Sequence, residues 1–159
     1  MKKQKIFIDL DGVMADFDKH FPEAFGVDKD TLSDIEMWAM INSNPTFFLD
    51  LPLCVGAKDF FESVEHKDPI ILTACPKSNY KVAATQKREW VRNNLSKDVI
   101  IMPIMGGKNK CLFMHSAGDL LIDDFEKNCK PWDDMGGISI THRNFGDTVA
   151  EMKWFGFDV

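Results

Sequence analysis

The sequence contains no apolar run long enough to cross a bilayer. Its opening Met-Lys-Lys-Gln-Lys passes into a short strand-like stretch, without the apolar region and small-residue cleavage site of a signal peptide. The expectation is a cytoplasmic protein with no membrane partner. Cysteine is sparse: Cys54, Cys75, Cys111 and Cys129 make no C-x-x-C spacing, which leaves no disulfide framework and argues against a zinc site. The four histidines are equally dispersed. Positive charge is short as well, with 19 Lys and Arg against 25 Asp and Glu and a net charge of -6. Such a chain is a poor binder of polymeric nucleic acid, which requires a basic face. One local basic run, Lys77, Lys81, Lys87 and Arg88, reads as a solvated helix face.

What remains is an ordinary globular composition, 45% hydrophobic and 28% charged over 159 residues, without repeats or low-complexity segments. It fits a single domain spanning 1–159. Five short apolar runs stand at Lys5–Leu10, Pro69–Leu72, Val99–Met102, Leu120–Ile122 and Ile138–Thr141. Continuous apolar runs bounded by turn residues suit strands buried on both faces, as in a parallel sheet. Helical patterns lie at Ala57–Val64, at Asn79–Asn94 with Trp90 inward, and at Phe145–Phe155. Gly136-Gly137 marks the turn into the last run. Strands alternating with helices predict an α/β fold, a three-layer, doubly wound parallel sheet. About sixty residues separate the first two runs, far more than one crossover requires. A helical pattern at Ser33–Ile41 lies inside that stretch, so a small helical cap over about 18–56 is expected, inserted after the first strand.

In open parallel sheets, ligands bind beyond the carboxyl ends of the strands. Those ends carry Asp9 and Asp11, then Thr73, then Asp123 and Asp124. Carboxylates brought that close repel one another, so a cation is expected among them, and all-oxygen ligation suits Mg²⁺. Asp9 could attack phosphorus as a carboxylate nucleophile, and Asp11 could exchange protons with the leaving group and with water. The charge gathering on the transferred group calls for a hydroxyl and a cation. Thr73 offers the first; Lys108 or Lys110 offers the second.

These residues fall in patterns that resemble a known superfamily. Asp9-Leu-Asp11-Gly-Val-Met-Ala-Asp-Phe17 is similar to the first motif of the haloacid-dehalogenase-like (HAD) phosphatases, Ile71-Leu-Thr73-Ala to the second, and Leu121-Ile-Asp123-Asp124 to the fourth. A lone lysine, for which Lys110 is the first choice and Lys108 the substitute, stands for the third. Further phrases resemble the 5′(3′)-deoxyribonucleotidases within that superfamily. They are Phe47-Phe-Leu-Asp-Leu-Pro-Leu before Gly56-Ala57, Thr73-Ala-Cys-Pro-Lys77, Lys87-Arg-Glu-Trp90-Val91 and Gly118-Asp-Leu-Leu-Ile-Asp-Asp. The likeness runs in order through most of the chain.

The resemblance implies a Rossmann-like core and Mg²⁺-dependent hydrolysis of a phosphomonoester through an aspartyl-phosphate, with a deoxynucleotide as the small-molecule partner. It implies Asp9 as nucleophile, Asp11 as acid and base, and a metal held by Asp9, the Asp11 carbonyl and Asp124, with Asp123 nearby. Thr73, the backbone at Ala74 and Lys110 would bind phosphate. Phe17 would lie against base or sugar, and Lys77 at the mouth. Trp38 in the cap is a candidate to stack on a base. A homodimer is left open. Two departures touch substrate identity: Phe125 stands where members often carry arginine, and Ala74 where they carry serine. A sugar phosphate is the alternative substrate. A phosphorylatable signalling module fits less well, because its acceptor follows a middle strand.

Overall fold

The computed structural model describes residues 3–159. Strands β1 (Ile6–Ile8), β2 (Ile70–Cys75), β3 (Ile100–Met105), β4 (Leu120–Asp123) and β5 (Ile138–Thr141) form one sheet in the order β3-β2-β1-β4-β5. Every pairing is parallel. The helices are α1 (Phe17–Phe25), α2 (Asp34–Ser43), α3 (Ala57–Val64), α4 (Tyr80–Asn94), α5 (Glu126–Asp134) and α6 (Phe145–Trp154). None is long and apolar enough to cross a membrane. The four cysteines are free.

The central strand explains its own composition. Ile6 and Ile8 face the layer that holds α3, α4 and α6, while Phe7 faces α5, so no position on β1 tolerates a polar side chain. Full burial of such a side chain contributes about 1.5–3 kcal/mol. On the α5 side the Trp132 ring packs edge-on to Phe7 at 5.1 Å between centroids, and its Nε1 donates to the Asp119 carbonyl at 2.9 Å. A Cβ at residue 137 would lie 2.3 Å from that same nitrogen, which is why the turn into β5 carries glycine there.

Two strands run past their expected ends, and two helices are not expected from the sequence. The second run does not stop at Leu72; β2 continues through Thr73 to Cys75, because β3 accompanies it with pairs Thr73↔Pro103, Ala74↔Ile104 and Cys75↔Met105. Pro103 does not end the third run, since β3 is an edge strand and a missing N–H is tolerated there. Two helices, α1 and α5, escape the periodicity; each carries an internal proline, Pro22 and Pro131.

The long segment between β1 and β2 holds α1, a short 3₁₀ turn at Lys29–Thr31, α2 and α3. Asp16 caps α1 by accepting from the Lys19 amide, and Ser33 caps α2 by accepting from the Glu36 amide, each satisfying an otherwise unpaired donor. The segment is fastened to α4. Gln86 donates to the Pro45 carbonyl at 2.7 Å and accepts from the Phe48 amide at 3.2 Å, and Trp90 Nε1 donates to the Leu51 carbonyl at 2.7 Å. Trp90 is therefore packing, as its inward position predicts.

Candidate active site

The site follows from the β1–β4 register. Ile8 pairs with Ile122, and the Asp9 amide continues the ladder by donating to the Ile122 carbonyl at 2.9 Å. One step further, Asp9 and Asp123 stand side by side at the carboxyl ends of adjacent strands. Asp124 completes a group of three carboxylates whose oxygens lie within 4.8 Å of one another. Beyond Asp9 the chain turns tightly: the amides of Val13, Met14 and Ala15 all donate to the Leu10 carbonyl. Gly12 makes this turn with φ +83°, and a Cβ there would lie 2.1 Å from Asp124 Oδ2. Position 12 thus needs glycine both for its backbone angle and for the space that Asp124 occupies.

Lys110 reaches this group from the 3₁₀ helix Gly107–Phe113, with its side chain only 1% exposed. Its ammonium donates to Asp9 Oδ1 at 2.7 Å and to Asp123 Oδ2 at 2.6 Å. Burial works against that charge, but the Asp9 and Asp123 carboxylates outweigh it and hold the lysine above its ordinary value. Lys108, two residues earlier, is exposed and turned elsewhere. Asp123 is fully engaged, since Oδ1 accepts from the Phe125 amide and Oδ2 also accepts from Asn128.

The negative charge is not balanced by Lys110. Burial first, then the charges of Asp123 and Asp124, push Asp9 well above the usual carboxylate range despite the lysine. Burial and the Asp123 charge push Asp124 up to about 6. A cluster with that surplus, offering only oxygen donors, fits a hard divalent cation such as Mg²⁺.

Asp11 sits apart from the trio and has a different partner. Lys87, 1% exposed in the middle of α4, donates to Asp11 Oδ2 at 2.8 Å, to Thr73 Oγ1 at 3.1 Å and to the Ala74 carbonyl at 2.6 Å. This corrects the expectation of a solvated basic face, because α4 packs the Lys87 position against β2 and lets the ammonium end among oxygens. The Phe48 ring covers the ammonium at 4.8 Å. Asp11 Oδ1 is shielded from solvent and has no partner among the described residues. The sequence signal pointing to Lys87 is its spacing, three residues before Trp90, on the buried side of the helix.

A cavity of 570 Å³ opens above these groups. Asp9, Asp11, Ala74, Lys110, Asp123 and Asp124 form its floor; Phe17, Leu32, Met37 and Trp38 form an apolar wall from the inserted segment, and Phe125 and Asn128 close it from α5's approach. Asp18, Lys29, Asp30 and Asp34 rim the wall, with Lys29 bridging Asp18 at 3.2 Å and Asp30 at 3.1 Å. Thr73 is fully buried beneath the floor, its hydroxyl oxygen already accepting from Lys87. Lys77 lines a neighbouring cavity instead of this one.

No family model matches the chain. Solved structures do. A hydrolase from Streptococcus pneumoniae TIGR4 superposes with a TM-score of 0.57 at 11% identity, over 96% of this chain and 100% of that one. A HAD-superfamily hydrolase from Ehrlichia chaffeensis gives 0.57 at 11% identity, over 98% of each chain. The chain shares the fold of these two hydrolases. At this identity the likeness speaks for architecture, and the chemistry rests on the groups at the strand ends.

Proposed function

We propose that the protein is a Mg²⁺-dependent phosphomonoester hydrolase of the HAD superfamily working through an aspartyl-phosphate, with a nucleoside 5′-monophosphate, deoxy forms included, as the favoured substrate. The observation that carries this reading is the Asp9 carboxylate, held by Lys110 beside Asp123 and Asp124 on the floor of the cavity. The motifs around Asp9, Thr73 and Asp123 support the same reading.

In this mechanism Asp9 attacks phosphorus in line with the departing oxygen and becomes an acyl phosphate. Lys110 holds Asp9 in position and offers positive charge to the phosphoryl oxygens. Asp11 Oδ1 is the atom free to carry a proton, since Oδ2 is occupied by Lys87; it protonates the leaving oxygen, then takes a proton from the water that releases phosphate. Thr73, beneath the floor, accepts from Lys87 and so fixes the ammonium that faces Asp11, while the backbone at Ala74 is the part of this strand that lines the cavity where phosphate would bind. Asp9, the Asp11 carbonyl and Asp124 would hold the cation, with Asp123 nearby. Bound there, Mg²⁺ would neutralise the carboxylates and the phosphoryl charge. The inserted segment acts as the cap, with Phe17 and Trp38 offering faces to a base or sugar.

The deciding experiment is phosphate release from ribo- and deoxyribonucleoside monophosphates and sugar phosphates, with Mg²⁺ and with chelator, beside Asp9→Asn. Metal-dependent turnover of nucleotides that Asp9→Asn abolishes supports the proposal. Turnover of sugar phosphates alone keeps the chemistry and removes the nucleotide. No turnover of any ester by a folded protein removes both.

A further inference from the structure

A second cavity, of 780 Å³, adjoins the first and shares Trp38 and Ala74 with it. Its walls carry Lys77, Lys108, Ser78 and Asn109, and not one carboxylate. In a chain with 25 acidic residues, whose neighbouring cavity is floored and rimmed by aspartates, that is a sharp change of sign over the width of one tryptophan. Lys77 and Lys108 make no ion pair or hydrogen bond through their ammonium groups among the described residues, whereas Lys87, Lys110 and Lys29 are all paired.

The two lysines come from the same segments that serve the reaction centre. The stretch following β2 places Thr73 beneath the floor and Lys77 in the side cavity. The 3₁₀ helix Gly107–Phe113 turns Lys110 to Asp9 and Lys108 to the side cavity, as a period of three separates the directions of residues two apart. Ser78 Oγ accepts from Asn42 and retains its proton to donate. A substrate with its phosphate over Asp9 can therefore extend in two directions, one acidic and apolar, the other cationic.

We propose that the Lys77–Lys108 cavity receives a second anionic group of the substrate, a phosphate or a carboxylate, so that the preferred substrates are phosphomonoesters whose leaving group carries another negative charge. This rests on the phosphatase reading, keeps its chemistry, and replaces the plain nucleoside 5′-monophosphate as favoured substrate with phosphomonoesters that carry a second anion.

The test pairs esters that differ by one anion: adenosine 5′-monophosphate with adenosine 3′,5′-bisphosphate, and glycerol 3-phosphate with 3-phosphoglycerate. p-Nitrophenyl phosphate serves as the reference with a single anionic group. The expected result is a kcat/KM about tenfold higher for the member of a pair that carries the second anionic group, the size two partly screened charge pairs provide. It should appear mainly in KM and shrink with added salt. Which pair responds distinguishes phosphate from carboxylate. Lys108→Ala and Lys108→Glu should progressively collapse the ratio within the pair, while Lys97→Ala, an exposed lysine away from both cavities, should leave it intact. Equal kcat/KM within both pairs, or a ratio that survives Lys108→Glu, overturns the inference while turnover of p-nitrophenyl phosphate still upholds the phosphatase reading. Loss of all turnover, that reference included, overturns both.

Discussion

Lys87 Nζ lies 2.8 Å from Asp11 Oδ2, joining residues 76 positions apart in the sequence. The same ammonium holds the Thr73 hydroxyl at 3.1 Å, so α4 ties the proposed acid and base to the strand that would bind phosphate. Lys87→Met keeps most of the volume but leaves the Asp11 carboxylate without its cation and the Ala74 carbonyl without its donor. The expected outcome is a fall in kcat/KM of about 10²–10³-fold, in keeping with the weight of a positioned general acid. Stability should drop by about 3 kcal/mol, the lower end for breaking a buried pair, since Asp11 keeps some contact with solvent. Steady-state kinetics and denaturant unfolding check the two parts, and a variant with wild-type kcat/KM would remove Lys87 from the mechanism.

Metal binding should be legible in stability as a function of pH. Asp9 and Asp124 are acids whose folded values are raised, so their contribution is full below the ordinary value of 3.8 and is lost as pH rises, for Asp124 through about 6. Without metal, the carboxylate cluster therefore destabilises the protein at neutral pH. Mg²⁺ should raise Tm more at pH 7.5 than at pH 4.5, and EDTA should reverse the gain. Asp124→Asn should flatten the difference. An equal Tm shift at both pH values would count against a cation in the aspartate cluster.

Gly12→Ala provides a steric test of the same site. The new Cβ would meet Asp124 Oδ2 at 2.1 Å on a backbone with φ +83°, so either the turn or Asp124 must shift. Strain of this kind costs about 1–3 kcal/mol. The larger expected effect is on Mg²⁺, whose apparent affinity should weaken at least about tenfold, as misplaced ligand geometry does. Titration of activity against Mg²⁺ reads this directly.

Away from the site, His142 is buried with Nδ1 2.7 Å from the Thr148 hydroxyl, and burial lowers its pKa from 6.5. A lowered histidine leaves stability intact above the unfolded value and subtracts from it as pH falls below 6.5, because only the unfolded chain takes up the proton readily. NMR titration should find the His142 ring changing charge below pH 6.5. A midpoint at or above that value would contradict the burial argument.

Much of this arrangement is legible in the order of the residues alone. The runs ending in Asp9, in Thr73 and in the Asp123–Asp124 pair are strands buried on both faces, and such strands leave an unmistakable apolar signature. Asp9 and Asp123 become neighbours through register alone. Between the two candidate lysines, however, sequence ranks Lys110 ahead of Lys108 without deciding, since the direction of each depends on how the 3₁₀ helix Gly107–Phe113 sits on the sheet. Lys87 is hidden for a related reason: in a helix rich in charge, only its spacing from Trp90 sets it apart from the other lysines, and packing decides that it points inward. The helices α1 and α5 are obscured by Pro22 and Pro131 and by short, polar sequences.

Pro103 has an effect that reaches beyond the fold of one molecule. It lies within β3 on the open margin of the sheet, where exposed Ile100 and Met105 would otherwise invite another chain to add a strand. Proline brings no amide hydrogen, and its carbonyl is already taken by the Tyr80 hydroxyl. At that point an incoming strand meets neither a donor nor a free acceptor. The margin is thereby guarded against fibril-like growth, and a second copy approaching this side would have to be recognised by its side chains.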